Sequence, residues 1–169
     1  DGEWYLRAFS KFGPVGSKTS PTGGNIYINP QVWSILADVV PEDRLDAVLH
    51  AIDKMDKTYG IQLCEPAYPH YDRHVGRMSG MLPGLFENGG VYNHCNAFKI
   101  MADCRLGRAE QALSTLHKMI PDSKDNPVSI TGAEPYLFVN CWCMHPSFFT
   151  RIWFGWFTGT SAWALRGFY

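Results

Sequence analysis

The clearest helical pattern in the chain lies in residues 41–60, which read PEDRLDAVLHAIDKMDKTYG. Glu42 and Asp43 follow Pro41, and negative charge in the first turn suits the positive end of a helix dipole. Gly60 is expected to cap the C-terminus. Apolar side chains recur between these ends at helical spacing, at Leu45, Val48, Leu49, Ile52 and Met55. The stretch therefore predicts an amphipathic helix that turns one face toward a core.

Similar periodicity recurs on both sides of this helix. Residues 31–39 read as a helix, and so do residues 96–106 and 108–120, which Gly107 separates into an αα-hairpin. Residues 134–144 are also expected to be helical. Helix is therefore the dominant predicted element of the chain.

The segments between the helices are mostly loops. Residues 3–9 and 26–28 have short extended character, and Thr158 is expected to begin the last helix. Residues 10–24 and 61–86 are rich in turn residues, and a long loop inside a compact domain is more often functional than idle. Helix pairs joined by such loops predict an all-α fold, an α/α toroid with short β-strand excursions, rather than a bundle with short connections.

The composition excludes several classes of protein. The 169 residues have a net charge of -1, without the clustered basic excess of a nucleic-acid-binding protein. No apolar run approaches the roughly 18 residues that a membrane span requires. Five cysteines without a regular framework indicate reduced thiols and a cytoplasmic protein. Cys141 and Cys143 form a lone C-x-C pair, which is too little for a metal site, and no cofactor motif is visible.

The first stretch that is able to carry chemistry is ENGGVYNH, at residues 87–94. Its glycines let the backbone approach a ligand closely, while Glu87 and His94 supply polar groups. His94 is able to donate a hydrogen bond to a phosphate from one ring nitrogen, or from both when protonated. The alternative is a tight turn with a buried and satisfied histidine.

Two further stretches offer polar groups near predicted helix starts. Thr158 and Gly159 precede an apolar helix, where free backbone N–H groups bind anions, although the same residues also suit an ordinary helix cap. Asn140 lies more than one helical turn beyond Glu134 in the segment predicted to be helical. Glu134 either contacts a ligand or holds the helix start.

Two arginines stand out in the long loop at residues 61–86. Arg73 and Arg77 are able to bind a carboxylate or phosphate through paired N–H groups. The alternative is a pair of solvated surface side chains.

The ordered set of motifs resembles the cellobiose phosphorylase family, which is glycoside hydrolase family 94, formerly glycosyltransferase family 36. The motifs that carry the resemblance cover essentially the whole chain in order. They are DGEWYLRA at residues 1–8, VGS at 15–17, NPQ at 29–31, ENGG at 87–90, LGR at 106–108, EPY at 134–136 and TGTSAW at 158–163.

The resemblance implies a fold and a reaction. The fold is part of an (α/α)6 barrel, with residues 1–169 as a fragment of one catalytic domain. The reaction is an inverting phosphorolysis, in which a β-glucoside and inorganic phosphate give α-glucose 1-phosphate and an acceptor sugar. The family binds phosphate through the histidine after E-N-G-G and the Thr-Gly of T-G-[TS], which correspond to His94, Thr158 and Gly159. The general acid of the family, an Asp in a W-N-D motif, has no counterpart in this chain and is expected upstream.

The sugar-binding side of the family corresponds to other residues of this chain. The resemblance implies that Glu87, Glu134 and Asn140 lie on that side, with Asn140 in place of a family glutamine. Phe86 stands where a lysine commonly precedes E-N-G-G. Because that cation is replaced while Arg73 and Arg77 appear in the acceptor loop, we expect an acidic acceptor such as gluconate, as in the cellobionic acid phosphorylase branch.

Three alternatives remain open at this stage. They are a phosphorylase with a neutral acceptor, as for cellobiose or longer cellodextrins, a hydrolase on the same barrel, and a carbohydrate-binding module without catalysis. Both ends of the chain look cut, so the piece is expected to be inactive alone. The resemblance implies a homodimeric full-length protein.

Overall fold

The computed structural model describes residues 2–121, 124, 126–148 and 152–169, which form six α-helices and nine short β-strands. The helices are α1 Ile28–Leu36, α2 Glu42–Lys54, α3 Asn93–Arg105, α4 Ala109–Met119, α5 Val128–Thr131 and α6 Thr160–Arg166. The strands are β1 Ala8–Ser10, β2 Gly13–Val15, β3 Ile26–Tyr27, β4 Asp56–Lys57, β5 Gly60–Ile61, β6 Cys64–Glu65, β7 Val91–Tyr92, β8 Val139–Trp142 and β9 Ile152–Gly155.

The strands pair into small antiparallel sheets, so the chain has a mixed α/β fold. Within the described residues the sheets are β1–β2, β3–β6, β4–β5 and the three-stranded β7–β8–β9. The prediction of an all-α fold, as part of an (α/α)6 barrel, is therefore wrong for this chain. The turn-rich segments at 10–24 and 61–86 were expected to be plain loops, but they contribute β2 and β6.

The predicted helix over residues 134–144 is also wrong, because its second half forms β8. Val139, Asn140, Cys141 and Trp142 are all buried. A continuous buried run is typical of a central strand covered on both faces, whereas an amphipathic helix exposes one side. β8 lies between β7 and β9, with Cys141 paired with Tyr92 on one side and with Trp153 on the other.

The main core lies where α1, α2 and α3 meet. The apolar stripe of α2 is confirmed, since Val48, Ile52 and Met55 are buried in that core. The helix ends at Lys54, however, and Gly60 does not cap it. Gly60 belongs to β5 with a φ of 122°, which favours glycine. A Cβ at Gly60 would also lie 2.5 Å from Asn96 Oδ1.

Two helices begin earlier than the sequence predicted. α1 begins at Ile28 and includes Pro30, which the first turn tolerates because its N–H groups lack intrahelical partners. α3 begins at Asn93 rather than at residue 96, with Tyr92 at its N-cap. As a result, His94 lies in the first turn of a 13-residue helix.

A buried ionic cluster ties α3 to α4. Lys99 Nζ bonds Asp103 Oδ2 and also donates to Thr115 Oγ1 of α4 at 2.9 Å. Arg108, between the helices, lies 3.2 Å from the other carboxylate oxygen of Asp103. Breaking a buried ion pair by removing one partner costs about 3–5 kcal/mol, so this cluster fixes the helix that carries His94.

In the described part of the chain, no helix has both the length and the apolar character needed to cross a bilayer.

Candidate functional site

His94 projects from the start of α3 into a set of aromatic rings. Its imidazole lies 4.9 Å from the Phe98 ring and 6.3 Å from the Trp163 ring, measured between centroids. Burial lowers the pKa of His94 from its ordinary value of 6.5, so the neutral imidazole is favoured near pH 7. Its Nε2 atom is buried and has no hydrogen-bond partner among the described residues. A buried polar atom without a partner costs about 1–3 kcal/mol, which a suitable ligand would offset.

Gly159 lies directly against this imidazole. A Cβ built on Gly159 would stand 3.0 Å from His94 Cε1 and 3.2 Å from Nε2. Gly159 therefore packs closely against the imidazole, where a side chain would crowd the ring. Thr158 precedes it, and the Thr158 Oγ1 atom accepts from the Thr160 N–H at 3.2 Å and bonds the Thr160 hydroxyl. The structure thus brings the three residues implied for phosphate together.

A first cavity, of about 290 Å³, opens in front of α3 and is called the histidine cavity below. Its polar lining comes from Arg7, Tyr27, Asn29, Glu87, Tyr92 and His94. Asn29 Oδ1 is a second buried atom without a partner in the described structure. Gly159 touches the imidazole but is not one of the residues that line this cavity. The cavity therefore combines a guanidinium with two side chains that each have one buried atom without a hydrogen-bond partner in the described structure.

The ENGG motif forms the turn that leads into α3. Asn88 is fully buried and holds the long loop, because its amide donates to the Tyr68 and Met81 carbonyls and accepts from the Tyr68 N–H. A Cβ at Gly90 would meet Cys141 Sγ at 2.5 Å. This glycine lets the turn approach β8 rather than a ligand. Glu87 is the ENGG residue that reaches the cavities.

A second cavity, of about 560 Å³, adjoins the first and is called the aromatic cavity below. Five aromatic rings line it, from Phe86, Tyr92, Trp153, Phe154 and Phe157. The Phe86 and Phe154 rings stack at 5.6 Å, and their φ angles of 47° and 52° lie in the left-handed region. Such backbone costs of order 1–3 kcal/mol and concentrates at functional sites. Flat rings of this kind suit the apolar face of a sugar.

Arg77 brings a positive charge to the aromatic cavity. Its guanidinium is largely exposed and lies 3.9 Å from the Glu87 carboxylate. Arg73, by contrast, lies in the exposed turn before it, where its Nε is 3.2 Å from His74 Nε2. Arg73 lines neither the histidine cavity nor the aromatic cavity. The structure therefore separates the two arginines that the sequence paired.

Glu87 and Tyr92 line both cavities and form the wall between them. Burial raises the pKa of Tyr92, while a hydrogen bond from Asn140 lowers it. The Tyr92 hydroxyl is therefore kept protonated and able to donate. A ligand that spans the two cavities would pass this pair.

Asn140 and Glu134 occupy different surroundings. Asn140 lines the aromatic cavity and donates from Nδ2 to the Phe157 carbonyl at 2.9 Å and to the Tyr92 hydroxyl at 3.3 Å. Glu134 is exposed, and its carboxylate accepts from Trp156 Nε1 at 3.2 Å. Glu134 is not among the residues that line either cavity.

The cysteines of the chain are free thiols. Cys64, Cys95, Cys141 and Cys143 are buried, and Cys104 is exposed. Burial raises the pKa of Cys95, which lines the histidine cavity, to about 12. Within the described ranges, no group of three or more His, Cys, Asp or Glu side chains is placed to hold a metal ion.

Several cavity residues were missed by reasoning from the sequence. Arg7 and Asn29 lie in motifs that support the family resemblance, but no spacing rule connects them to His94. Tyr92 lies inside the quoted stretch at 87–94, where it reads as a core aromatic residue. Trp153 comes from β9, a strand that the sequence did not predict.

Comparison with known proteins gives the same family as the motifs. Residues 1–168 match the glycosyl hydrolase 94 superfamily, catalytic domain. A solabiose phosphorylase from Paenibacillus borealis is 40% identical over 170 residues, which cover 98% of this chain and 22% of that protein. A 3-O-beta-D-glucopyranosyl-beta-D-glucuronide phosphorylase from the same organism is 36% identical over 140 residues, covering 83% of this chain and 18% of that protein.

A third relative is the cellobionic acid phosphorylase of Neurospora crassa, 32% identical over 172 residues, which cover 98% of this chain and 22% of that protein. The chain thus spans 18% to 22% of the length of these relatives. The resemblance drawn from the motifs is confirmed. The chain belongs to the glycosyl hydrolase 94 superfamily.

Proposed function

We propose that this chain carries the phosphate-binding and acceptor-binding parts of an inverting glycoside phosphorylase. The observation that carries the proposal is the buried, unpaired Nε2 of His94, a residue that lines the histidine cavity and packs against Gly159. Thr158 adds a hydroxyl next to Gly159. The three relatives reported above are each named as a phosphorylase, which supports the same reaction class.

Inorganic phosphate is the co-substrate in this proposal. The neutral imidazole of His94 donates from one ring nitrogen, and the bound anion favours a second proton on the ring. Arg7 and the first turn of α3 add positive potential on the side of the histidine cavity. These groups hold phosphate as the nucleophile, so no metal is required to neutralise it.

The chemical step is a displacement with inversion at the anomeric carbon. A phosphate oxygen forms a bond to that carbon, while its bond to the acceptor oxygen breaks on the opposite face. A general acid gives its proton to the departing oxygen. The resemblance assigns that acid to a W-N-D motif, which does not occur in these 169 residues.

The aromatic cavity is proposed as the acceptor site. Its rings would cover the apolar face of a sugar, while Glu87, Tyr92 and Arg77 offer hydrogen bonds. Arg77 favours an acceptor with a carboxylate, because a guanidinium binds that group through two N–H donors. Two relatives carry sugar acids in their names, a glucuronide and cellobionic acid. Gluconate and glucuronate are therefore the first acceptors to examine.

The test uses the complete protein that carries this sequence. α-Glucose 1-phosphate is supplied with gluconate, glucuronate, glucose or cellobiose in turn, and phosphate release is followed. Release with a sugar acid supports the full proposal. Release with glucose or cellobiose alone would keep the phosphorylase and refute the acidic acceptor. No release with any of the four from folded protein would contradict the glucosyl phosphorylase proposed.

A further inference from the structure

We propose that Asn140 is a positioning residue that ties the two halves of the candidate phosphate site to β8. The inference rests on the proposed function and adds a role that differs from sugar binding. Asn140 is 9% exposed, and its Nδ2 protons point to two protein groups, the Phe157 carbonyl and the Tyr92 hydroxyl. A side chain engaged in this way has its oxygen, but no N–H, left for a ligand.

One of these bonds fixes the loop that carries Gly159. Phe157 immediately precedes Thr158, and its N–H bonds the Gly155 carbonyl at 2.9 Å, so the loop turns tightly where it leaves β9. The bond of 2.9 Å from Asn140 then holds the Phe157 carbonyl against β8. The position of Gly159 beside the imidazole depends on this attachment.

The other bonds fix the start of the helix that carries His94. Tyr92 is the N-cap residue of α3, and its hydroxyl accepts from Asn140 at 3.3 Å. The next residue, Asn93, is fully buried and donates from Nδ2 to the Val139 carbonyl at 3.0 Å. Two neighbouring residues of β8 therefore hold the elements that bring His94 and Gly159 together.

The experiment compares the KM for phosphate with the KM for the sugar in variants of the complete protein. Asn140→Asp has nearly the same shape but no N–H donor, and Asn140→Leu removes both bonds with a larger side chain that has the same branching at Cγ. We expect each to raise the phosphate KM about tenfold or more, with the KM of the sugar changed about twofold at most. Tyr92→Phe, which removes the longer bond alone, is expected to raise the phosphate KM about twofold.

Two further variants separate positioning from general damage. Asn140→Gln keeps the amide and is expected to keep the phosphate KM within about threefold of wild type. Asn25→Asp is the matched control, because its amide also holds loop carbonyls, those of Ser17, Lys18 and Ser20, outside both cavities. It is expected to leave the phosphate KM unchanged. If the Asp and Leu variants fail to fold, Asn140→Ser provides the same comparison with a smaller change.

The possible outcomes distinguish failure of the positioning role of Asn140 from failure of the proposed phosphorylase function. A wild-type protein without phosphate-dependent activity would refute the proposed function. An active wild type whose Asn140 variants raise the KM of the sugar and leave the phosphate KM unchanged would refute the positioning role. It would make Asn140 a sugar-binding residue.

Discussion

The histidine cavity and the aromatic cavity share a wall but differ in chemistry. The first has two buried polar atoms without partners in the described structure, on Asn29 and His94, and a guanidinium from Arg7. The second is lined with five aromatic rings, has one buried polar atom without a partner in the described structure, Trp153 Nε1, and carries one exposed cation, Arg77. A small anion suits the first, whereas a flat molecule with an apolar face suits the second. The contrast indicates that phosphate and acceptor sugar enter neighbouring but separate spaces.

The largest expected effect is on the histidine side. His94→Gln keeps a hydrogen-bonding side chain but removes the imidazole, and we expect kcat/KM for phosphate to fall about 100-fold or more. The KM of the acceptor should stay within about threefold of wild type. Initial rates at varied phosphate measure both. His50→Gln, at an exposed position of α2, is the control. If kcat/KM fell equally for phosphate and for the acceptor, the two cavities would not bind different substrates.

A smaller effect is expected on the aromatic side. Arg77→Ala removes the guanidinium at that cavity, and kcat/KM for a sugar acid should fall about 10- to 100-fold, since a bond to a charged group is worth about 1.5–3 kcal/mol. Arg73→Ala is the matched control and is expected to have no effect, because Arg73 lies outside both cavities. Assays with gluconate or glucuronate check this. An equal loss of kcat/KM in both variants would show that the two arginines bind the acceptor together.

The next effect tests the close contact between Gly159 and the His94 imidazole. In Gly159→Ala the new Cβ would stand 3.0 Å from His94 Cε1, so the ring has to shift by a few tenths of an ångström. We expect the phosphate KM to rise about fivefold. Gly80→Ala is the control, because its Cβ would meet the exposed ring of Tyr71 at 3.2 Å instead. An unchanged phosphate KM in Gly159→Ala would place the anion elsewhere.

The smallest effect concerns pH and stability. Because folding lowers the pKa of His94, the unfolded chain binds a proton there more readily. Stability is therefore unaffected by this group above its ordinary pKa of 6.5 and is lost as pH falls from 6.5 toward the lower folded value. The Tm of wild type should drop more steeply in that window than the Tm of His94→Gln. Inorganic phosphate should reduce the difference between the two proteins in how Tm changes with pH. An identical change of Tm with pH in both proteins would show that His94 is not desolvated.

Local sequence patterns were sufficient to predict some helices but not most of the short strands. The α2 stripe was predicted correctly because helical spacing and first-turn charges act within the helix itself. β8 was missed in part because β7, one of its two pairing partners, lies nearly fifty residues earlier, at Val91 and Tyr92. Short strands gain their stability from such distant partners, so a window along the chain does not reveal them.

The candidate site shows the same division. The motif resemblance named His94, Thr158 and Gly159, and the structure brings these residues together. Arg73 and Arg77 were paired because both lie in one long loop, but a shared loop does not determine which side chain reaches a cavity. The bond from Asn140 to the Phe157 carbonyl joins two segments that only the sheet brings close, so no sequence pattern signalled it.

The most direct test of the account is the binding of inorganic phosphate to the complete protein, measured by calorimetry without sugar. Wild type is expected to bind phosphate at one site per chain, and His94→Gln to bind it about 10- to 100-fold more weakly while remaining folded. Equal affinity in the two proteins would contradict the assignment of the histidine side to phosphate.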